Sequence, residues 1–115
     1  MIFNYKGQDY EMAETLRVAY KIQELNNHKP YTQVFKEMGE MTIERQIKIL
    51  YAAFSLANPG VASELEFQNY CLDNMGMEQF TDALEELVDA LMNHGLSKEE
   101  VEAKKAKAAA SQEQE

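Results

Sequence analysis

Strong helix-breaking signals divide the middle of the chain into five amphipathic segments. Breaks occur at Pro30, at Gly39, at Asn58-Pro59-Gly60 and at Gly76, because proline excludes helical geometry in the residue before it and glycine favours a helix end. Between the breaks, apolar side chains recur at the three- and four-residue spacing of helices with one buried face. The sequence therefore predicts a compact bundle of about five helices.

Polar caps mark where several of these helices begin. Thr15 and Thr42 are the expected N-caps of the first and third helices, and Ser63 with Glu66 forms a capping box at the start of the fourth. The fifth helix is expected to close at His94-Gly95. The apolar positions expected to face the core are, helix by helix, Leu16, Val18, Ala19, Tyr20, Ile22 and Leu25; Tyr31, Val34, Phe35 and Met38; Ile43, Ile47, Leu50, Tyr51 and Phe54; Leu65, Phe67, Tyr70, Cys71 and Leu72; and Phe80, Leu84, Leu87, Val88 and Leu91.

Residues 2–12 predict a β-hairpin ahead of the helices. A two-residue loop at Gly7-Gln8 suits a type II′ turn and pairs Tyr5 with Tyr10 and Phe3 with Met12. We favour this register over a turn at Lys6-Gly7, because it also places Lys6 opposite Asp9. Both pairs then share one face, and that face must cover helices because a lone hairpin is unstable in water. The predicted fold class is mainly α (α+β), with the hairpin packed on the bundle.

Length and composition favour one small domain with a tail. The chain has 115 residues, and we expect a domain over residues 1–96. Residues 97–115 are mostly Ala, Lys, Glu, Gln and Ser, which predicts a frayed helix that passes into disorder. The N-terminus lacks signal-peptide character, and no apolar run approaches the roughly 18 residues of a membrane span. With one cysteine and no disulfide framework, the expected compartment is a reducing cytosol.

The distribution of charge is more informative than its total. A net charge of −9 argues against partners such as nucleic acid or an anionic membrane. Residues 61–97 hold no Lys or Arg but eight uncompensated carboxylates: Glu64, Glu66, Asp73, Glu78, Asp82, Glu85, Glu86 and Asp89. Two interpretations remain open: a solvated face that maintains solubility, or a docking face for a basic segment of another protein.

Methionines flank two of the predicted turns. They are Met38 and Met41 around Gly39, and Met75 and Met77 around Gly76. Flexible thioether side chains either line a surface that accepts varied apolar segments or seal helix ends against the core. The candidate partner-binding residues are therefore Glu78, Asp82, Glu85, Glu86 and Asp89, together with Met38, Met41, Met75 and Met77.

Signals for catalysis are weak, so we expect a protein that is not an enzyme. His28 lies beside a proline turn, His94 lies at a helix end, and Cys71 lies in an apolar helical stretch. The sequence contains no phosphate-binding glycine loop, no nucleophile elbow and no zinc motif. Asp73-Asn74-Met75-Gly76 lacks the spaced carboxylates of a calcium loop. We therefore assign no catalytic, cofactor-binding or metal-binding residue.

Several stretches resemble the tail assembly chaperones of long-tailed phages and prophages of Gram-positive bacteria. The resemblance covers roughly residues 1–105 and is moderately specific, since it rests on order and spacing. The stretches that carry it are Asn4–Gly7, Leu16–Glu24, Ile49–Phe54, Ala57–Pro59, Phe80–Leu87 and His94–Ser97, the last leading into a Lys/Glu/Ala tail.

This resemblance implies a non-enzymatic role in tail assembly. Such proteins keep the long, helix-rich tape measure protein soluble while tail tube subunits polymerise around it, and they are absent from the finished virion. Many occur in two lengths, the longer arising by ribosomal frameshifting. This chain resembles the short form, and Lys104-Lys105 is compatible with an A-rich slippery codon run. The implied partners are the tape measure protein, the tail tube protein, the longer form and further copies of the chain, in the bacterial cytoplasm.

Three other functions stay open. An acidic inhibitor or DNA mimic would also concentrate carboxylates on one face and would bind a basic host protein one to one. A minor structural subunit would remain in the purified tail. A helix-turn-helix regulator is the weakest alternative, because eight acids without a base in residues 61–97 would repel phosphate.

Overall fold

The computed structural model describes residues 1–93, in which a β-hairpin precedes five α-helices. This confirms the predicted fold class. The predictions that concern His94-Gly95, the domain end at residue 96 and the tail over residues 97–115 lie outside the described residues. The elements are β1 (Ile2–Tyr5), β2 (Gln8–Glu11), α1 (Leu16–Leu25), α2 (Tyr31–Glu37), a 3-10 turn (Met38–Glu40), α3 (Ile43–Ala57), α4 (Glu64–Asn74) and α5 (Met77–Asn93).

Helix α3 is the central element of the fold. It contacts α1, α4, α5 and strand β2, and its inner face is excluded from solvent, with Ile49, Leu50 and Phe54 fully buried. Alanines at 52 and 53 are buried as well, which lets neighbouring main chain come close. The N–H of Ala13 donates to the carbonyl O of Ala53 at 3.1 Å. The chain leaving the hairpin is thus tied directly to the central helix.

The hairpin turns one residue earlier than the sequence analysis predicts. The observed register pairs Phe3 with Tyr10 and Tyr5 with Gln8, so the predicted turn at Gly7-Gln8 is wrong and the loop is Lys6-Gly7. Both loop residues have positive φ, 53° and 82°, as a type I′ turn requires, and its twist matches that of the strands. Asn4 supports this register, because its side chain donates to Asp9 Oδ1 at 3.0 Å and accepts the Gly7 N–H at 3.2 Å.

The predicted division of the hairpin into two faces survives this change. The observed pairing differs from the predicted one by two positions along a strand, and side chains alternate with a period of two. Phe3, Tyr5 and Met12 are therefore still buried, with Tyr10 partly buried against the core. Their rings pack on α3 and α4: Tyr5 lies 5.4 Å from Phe54, and Phe3 lies 5.4 Å from Phe67, between ring centroids.

Two of the predicted N-cap residues form the expected side-chain hydrogen bonds. The Arg45 N–H donates to Thr42 Oγ1 at 3.3 Å, and both hydrogen bonds of the capping box join Ser63 and Glu66. Thr15 is the N-cap residue of α1 but makes no side-chain cap bond. The first helix ends at Leu25, and Asn27 and His28 then adopt positive φ and turn the chain toward α2. The side-chain caps thus fix where α3 and α4 begin.

Candidate partner-binding surface

Five carboxylates of α5 form what we call the acidic face. Glu78, Asp82, Glu85, Glu86 and Asp89 are spaced by about one helical turn and are all exposed. The opposite side of the helix buries Leu84 and Leu87. This amphipathic pattern orients the helix so that its carboxylates face solvent.

The acidic face is not neutralised within residues 1–93. None of its five carboxylates forms an ion pair with a described residue, whereas ion pairs occur elsewhere, as between Lys29 and Glu37. Asp89 accepts hydrogen bonds from Asn93 Nδ2, at 3.0 Å to Oδ1 and 2.8 Å to its carbonyl O. Neighbouring like charges raise the free energy of the surface, and a cationic partner would relieve that repulsion.

Two carboxylates of the preceding helix have structural roles instead. Glu64 lies 4.0 Å from Lys48 on α3, and Glu66 accepts the main-chain N–H of Ser63 at 3.1 Å. The expectation that all eight carboxylates of this region are uncompensated is therefore wrong for Glu64, whereas Glu66 forms the predicted capping box. The hydrogen bond from the main chain of Ser63, followed by the one from its side chain, lowers the pKa of Glu66.

A groove of about 740 Å³ runs between β1 and α5, and we call it the β1–α5 groove. Ile2 and Asn4 of β1 line one side, and Glu78, Asp82 and Glu86 line the other. Tyr70 and Met75 add apolar surface from α4 and its end. Beside it, a shallow depression of about 380 Å³ is lined by Asp82, Glu85, Glu86 and Asp89. The structure thus joins three of the predicted carboxylates and one predicted methionine in a single groove.

The other three candidate methionines lie outside this groove. Met38 and Met41, like Met75, pack partly buried against the core, which is the arrangement expected of residues that seal helix ends. Met77 differs, because 84 % of it is exposed at the start of α5. Of the four, Met77 offers the most apolar surface to a partner.

Met77 belongs to a second apolar site that sequence reasoning missed. A pocket of about 210 Å³ is lined by residues of α3, α4 and α5, among them Ile43, Leu72 and Met77. Ile43 and Leu72 are 53 % and 51 % exposed, so their assignment to the core is wrong. Leu16, Tyr20 and Leu65 are also exposed rather than buried. Ile43 and Leu16 open their helices, a position from which a side chain reaches the core poorly.

The remaining chemical groups give little evidence for catalysis. Cys71 is 4 % exposed, and burial raises the pKa of its thiol to about 12, so the thiolate needed for nucleophilic attack is scarce at neutral pH. His28 is exposed in the turn after α1, and His94 lies outside the described residues. Within residues 1–93 no group of His, Cys, Asp and Glu is arranged to hold a metal ion.

None of the helices in the described part of the chain combines the length and the apolar character that crossing a bilayer requires. Comparison of the chain with protein-family models, with curated proteins and with solved structures gave no match.

Proposed function

We propose that this protein is a non-enzymatic tail assembly chaperone of a long-tailed phage or prophage, which binds the tape measure protein and keeps it soluble. The observation that carries the proposal is the acidic face on α5, five exposed carboxylates without a cationic partner in the described residues. Exposed apolar side chains lie at the first turn of the same helix and beside it. The sequence resemblance supplies the identity of the partner.

The two surfaces have complementary tasks in this proposal. A long helical protein that waits for its tube exposes apolar stripes and aggregates through them. Met77 and its neighbours Ile43 and Leu72 provide modest apolar contact, while the acidic face attracts basic segments of the partner and keeps the complex charged and soluble. Several copies along one tape measure protein hold it through avidity, although each contact is weak.

Release of the tape measure protein follows from the weakness of each single contact. Tail tube subunits displace the chaperone copies one at a time, without nucleotide hydrolysis, because each contact is worth little alone. The chaperone then stays in the bacterial cytoplasm and is absent from the mature virion. A frameshifted longer form and homo-oligomers of this chain belong to the same proposal as assembly partners.

Co-production with a tape measure protein from the same phage or prophage genome tests the proposal. We expect the soluble fraction of the tape measure protein to rise several-fold, and purified complexes to contain more than one copy of this chain. The measurements are the soluble fraction after centrifugation and the intact mass of the complex. An insoluble tape measure protein with this chain free in solution would contradict the proposal.

A charge-reversal variant tests the electrostatic part. Changing Glu85, Glu86 and Asp89 to Lys should weaken retention of the tape measure protein at low salt, since attraction between exposed charges is screened within about 10 Å at 0.1 M salt. The matched control changes Glu11, Glu24 and Glu40 to Lys. These three carboxylates are exposed on other elements, so the control alters the net charge by the same amount. Equal retention by both variants would remove the acidic face from the proposal.

The same purification separates the alternatives. A tight one-to-one complex with a single basic host protein would favour an acidic inhibitor or DNA mimic. Persistence of the chain in purified virions would favour a structural tail subunit. Either result replaces the chaperone function.

A further inference from the structure

The outer edge of β1 is open to a further strand. The sheet of the described residues has two strands, so β1 has one edge paired with β2 and one edge unpaired. The Met12 N–H donates to the Met1 carbonyl O at 2.8 Å, which identifies the Met1–Met12 pair as hydrogen-bonded. Bonded and non-bonded pairs alternate in an antiparallel ladder. The main-chain groups of Ile2 and Asn4 therefore point away from β2.

The two edges of the hairpin differ in how they are covered. On the β2 side, Asn58 Nδ2 donates to the Glu11 carbonyl O at 2.8 Å and the Ala13 N–H reaches the Ala53 carbonyl O, so α3 covers the end of that edge. On the β1 side, Ile2 and Asn4 line the β1–α5 groove. An exposed strand edge is a template for pairing with another chain.

The opposite side of the groove matches such a strand in charge and in spacing. Glu78, Asp82 and Glu86 recur every four residues, about 6 Å along the helix axis. Side chains on one face of a strand recur every second residue, about 6.6 Å apart. Lysines or arginines at alternate positions of an added strand would therefore meet successive carboxylates.

We propose that the β1–α5 groove binds an extended, Lys/Arg-bearing segment of another protein, which pairs its main chain with Ile2 and Asn4 and its basic side chains with Glu78, Asp82 and Glu86. Main-chain hydrogen bonds give affinity in this mode of recognition and side chains give specificity. The inference goes beyond the proposed function and does not depend on it, because any partner with such a segment fits.

A second copy of the chain is a poorer occupant. Pairing β1 of one copy with β1 of another would bring two acidic grooves together, and the repulsion between their carboxylates would oppose association. The strand itself carries no basic residue between Ile2 and Tyr5. Charge complementarity thus favours a basic partner.

A capped six-residue peptide that alternates valine with lysine tests the proposal on the full chain. We expect binding at low salt, measured by calorimetry, and slower amide hydrogen exchange at Ile2 and Asn4, measured by NMR. A peptide with serine for lysine should bind about ten-fold more weakly, because exposed charge pairs contribute about 0.2 to 1 kcal/mol each. Binding that leaves the exchange of both amides unchanged overturns the proposal.

Matched variants identify the carboxylates that matter. The groove variant combines Glu78→Gln, Asp82→Asn and Glu86→Gln, and we expect it to weaken peptide binding about ten-fold. The control variant combines Glu24→Gln, Glu40→Gln and Asp73→Asn, three exposed carboxylates that lie outside both the groove and the acidic face. It should change binding less than about two-fold. Equal weakening in the two variants overturns the assignment of the groove.

N-methylated peptides test strand addition itself. Methyl groups on alternate amides block one edge of the peptide strand, so two peptides methylated on opposite sets of amides should differ at least about ten-fold in affinity, since each lost hydrogen bond costs about 1 kcal/mol. Equal affinities overturn strand addition. Slow amide exchange at Ile2 and Asn4 in the absence of peptide overturns the assignment of the groove to a basic segment. Protection from exchange that rises with protein concentration indicates a second copy of the chain as the occupant. Protection that does not depend on protein concentration indicates residues beyond 93.

Discussion

Asn58, at the end of α3, donates through Nδ2 to the carbonyl O of Glu11, the last residue of β2, at 2.8 Å. The same Nδ2 lies 3.2 Å from the carbonyl O of Phe54. One amide therefore joins the hairpin to the last turn of the central helix, across 47 residues of sequence. Because β1 is paired with β2, this contact also fixes one side of the β1–α5 groove.

Replacing Asn58 should loosen this attachment. We expect Asn58→Ala to lower the free energy of unfolding by about 1 to 2 kcal/mol, because the variant loses both hydrogen bonds of this amide and leaves the Glu11 carbonyl without its donor. Urea unfolding followed by circular dichroism measures the change. The matched control is Asn74→Ala, which removes an exposed bond to the Tyr70 carbonyl within one helix and should cost less. Equal costs would contradict a specific role of Asn58.

The hairpin turn offers a change that should stabilise the protein. Lys6 adopts a positive φ of 53°, which is unfavourable for lysine and common for asparagine, and Asn-Gly is a preferred type I′ turn. We expect Lys6→Asn to raise the free energy of unfolding by about 0.5 to 1 kcal/mol. Lys6→Val is the opposing control, because a β-branched residue tolerates this conformation poorly. A Lys6→Asn variant less stable than the parent chain would contradict the turn assignment.

The turn also illustrates what the sequence alone could and could not predict. Local signals found the hairpin, its buried face and the helix ends, because glycine, proline and capping residues act on their immediate neighbours. The register depended on Asn4, whose side chain contacts both Asp9 and Gly7. A side-chain network of this kind is visible only once the strands are in place.

The candidate partner-binding surface could likewise be predicted only in part from the sequence. The five carboxylates of α5, which the charge distribution marked as a candidate face, are all exposed. Helical spacing assigned Ile43 and Leu72 to the core, although both lie beside a solvent-exposed pocket. Which apolar positions stay uncovered depends on how α3, α4 and α5 meet. The β1–α5 groove likewise joins elements more than 70 residues apart in sequence, so no local pattern predicts it.

The capping box of α4 should make stability depend on acid pH. The pKa of Glu66 is lowered below its ordinary value of 4.5, first by the hydrogen bond from the main chain of Ser63. A carboxylate with a lowered pKa in the folded state stabilises that state fully above 4.5. The contribution is lost as the pH falls through the folded pKa. Glu66→Gln should therefore flatten the decline of stability below pH 4.5.

Chemical denaturation across this pH range measures the effect. The control is Glu24→Gln, an exposed carboxylate on α1 that is outside any capping box, and this variant should keep the decline of the parent chain. An identical decline in the Glu66→Gln variant would show that the capping box does not contribute to acid sensitivity.

Cys71 provides a probe of the core next to the apolar pocket. Burial raises the pKa of its thiol from 9.0 to about 12. The thiolate fraction at pH 8 is therefore about a thousand-fold lower than that of an ordinary thiol, and only the thiolate reacts. We expect a thiol reagent such as Ellman's reagent to modify the folded protein very slowly and the urea-unfolded protein at the rate of an ordinary thiol. The Cys71 side chain lines the pocket formed by α3, α4 and α5. Met77→Ala therefore serves as a control, because it removes an exposed side chain from the lining of this pocket and leaves the buried core intact. Rapid modification of the folded parent chain would contradict the burial of Cys71, whereas a rate that rises with urea in step with unfolding would show that this part of α4 opens only when the whole domain does.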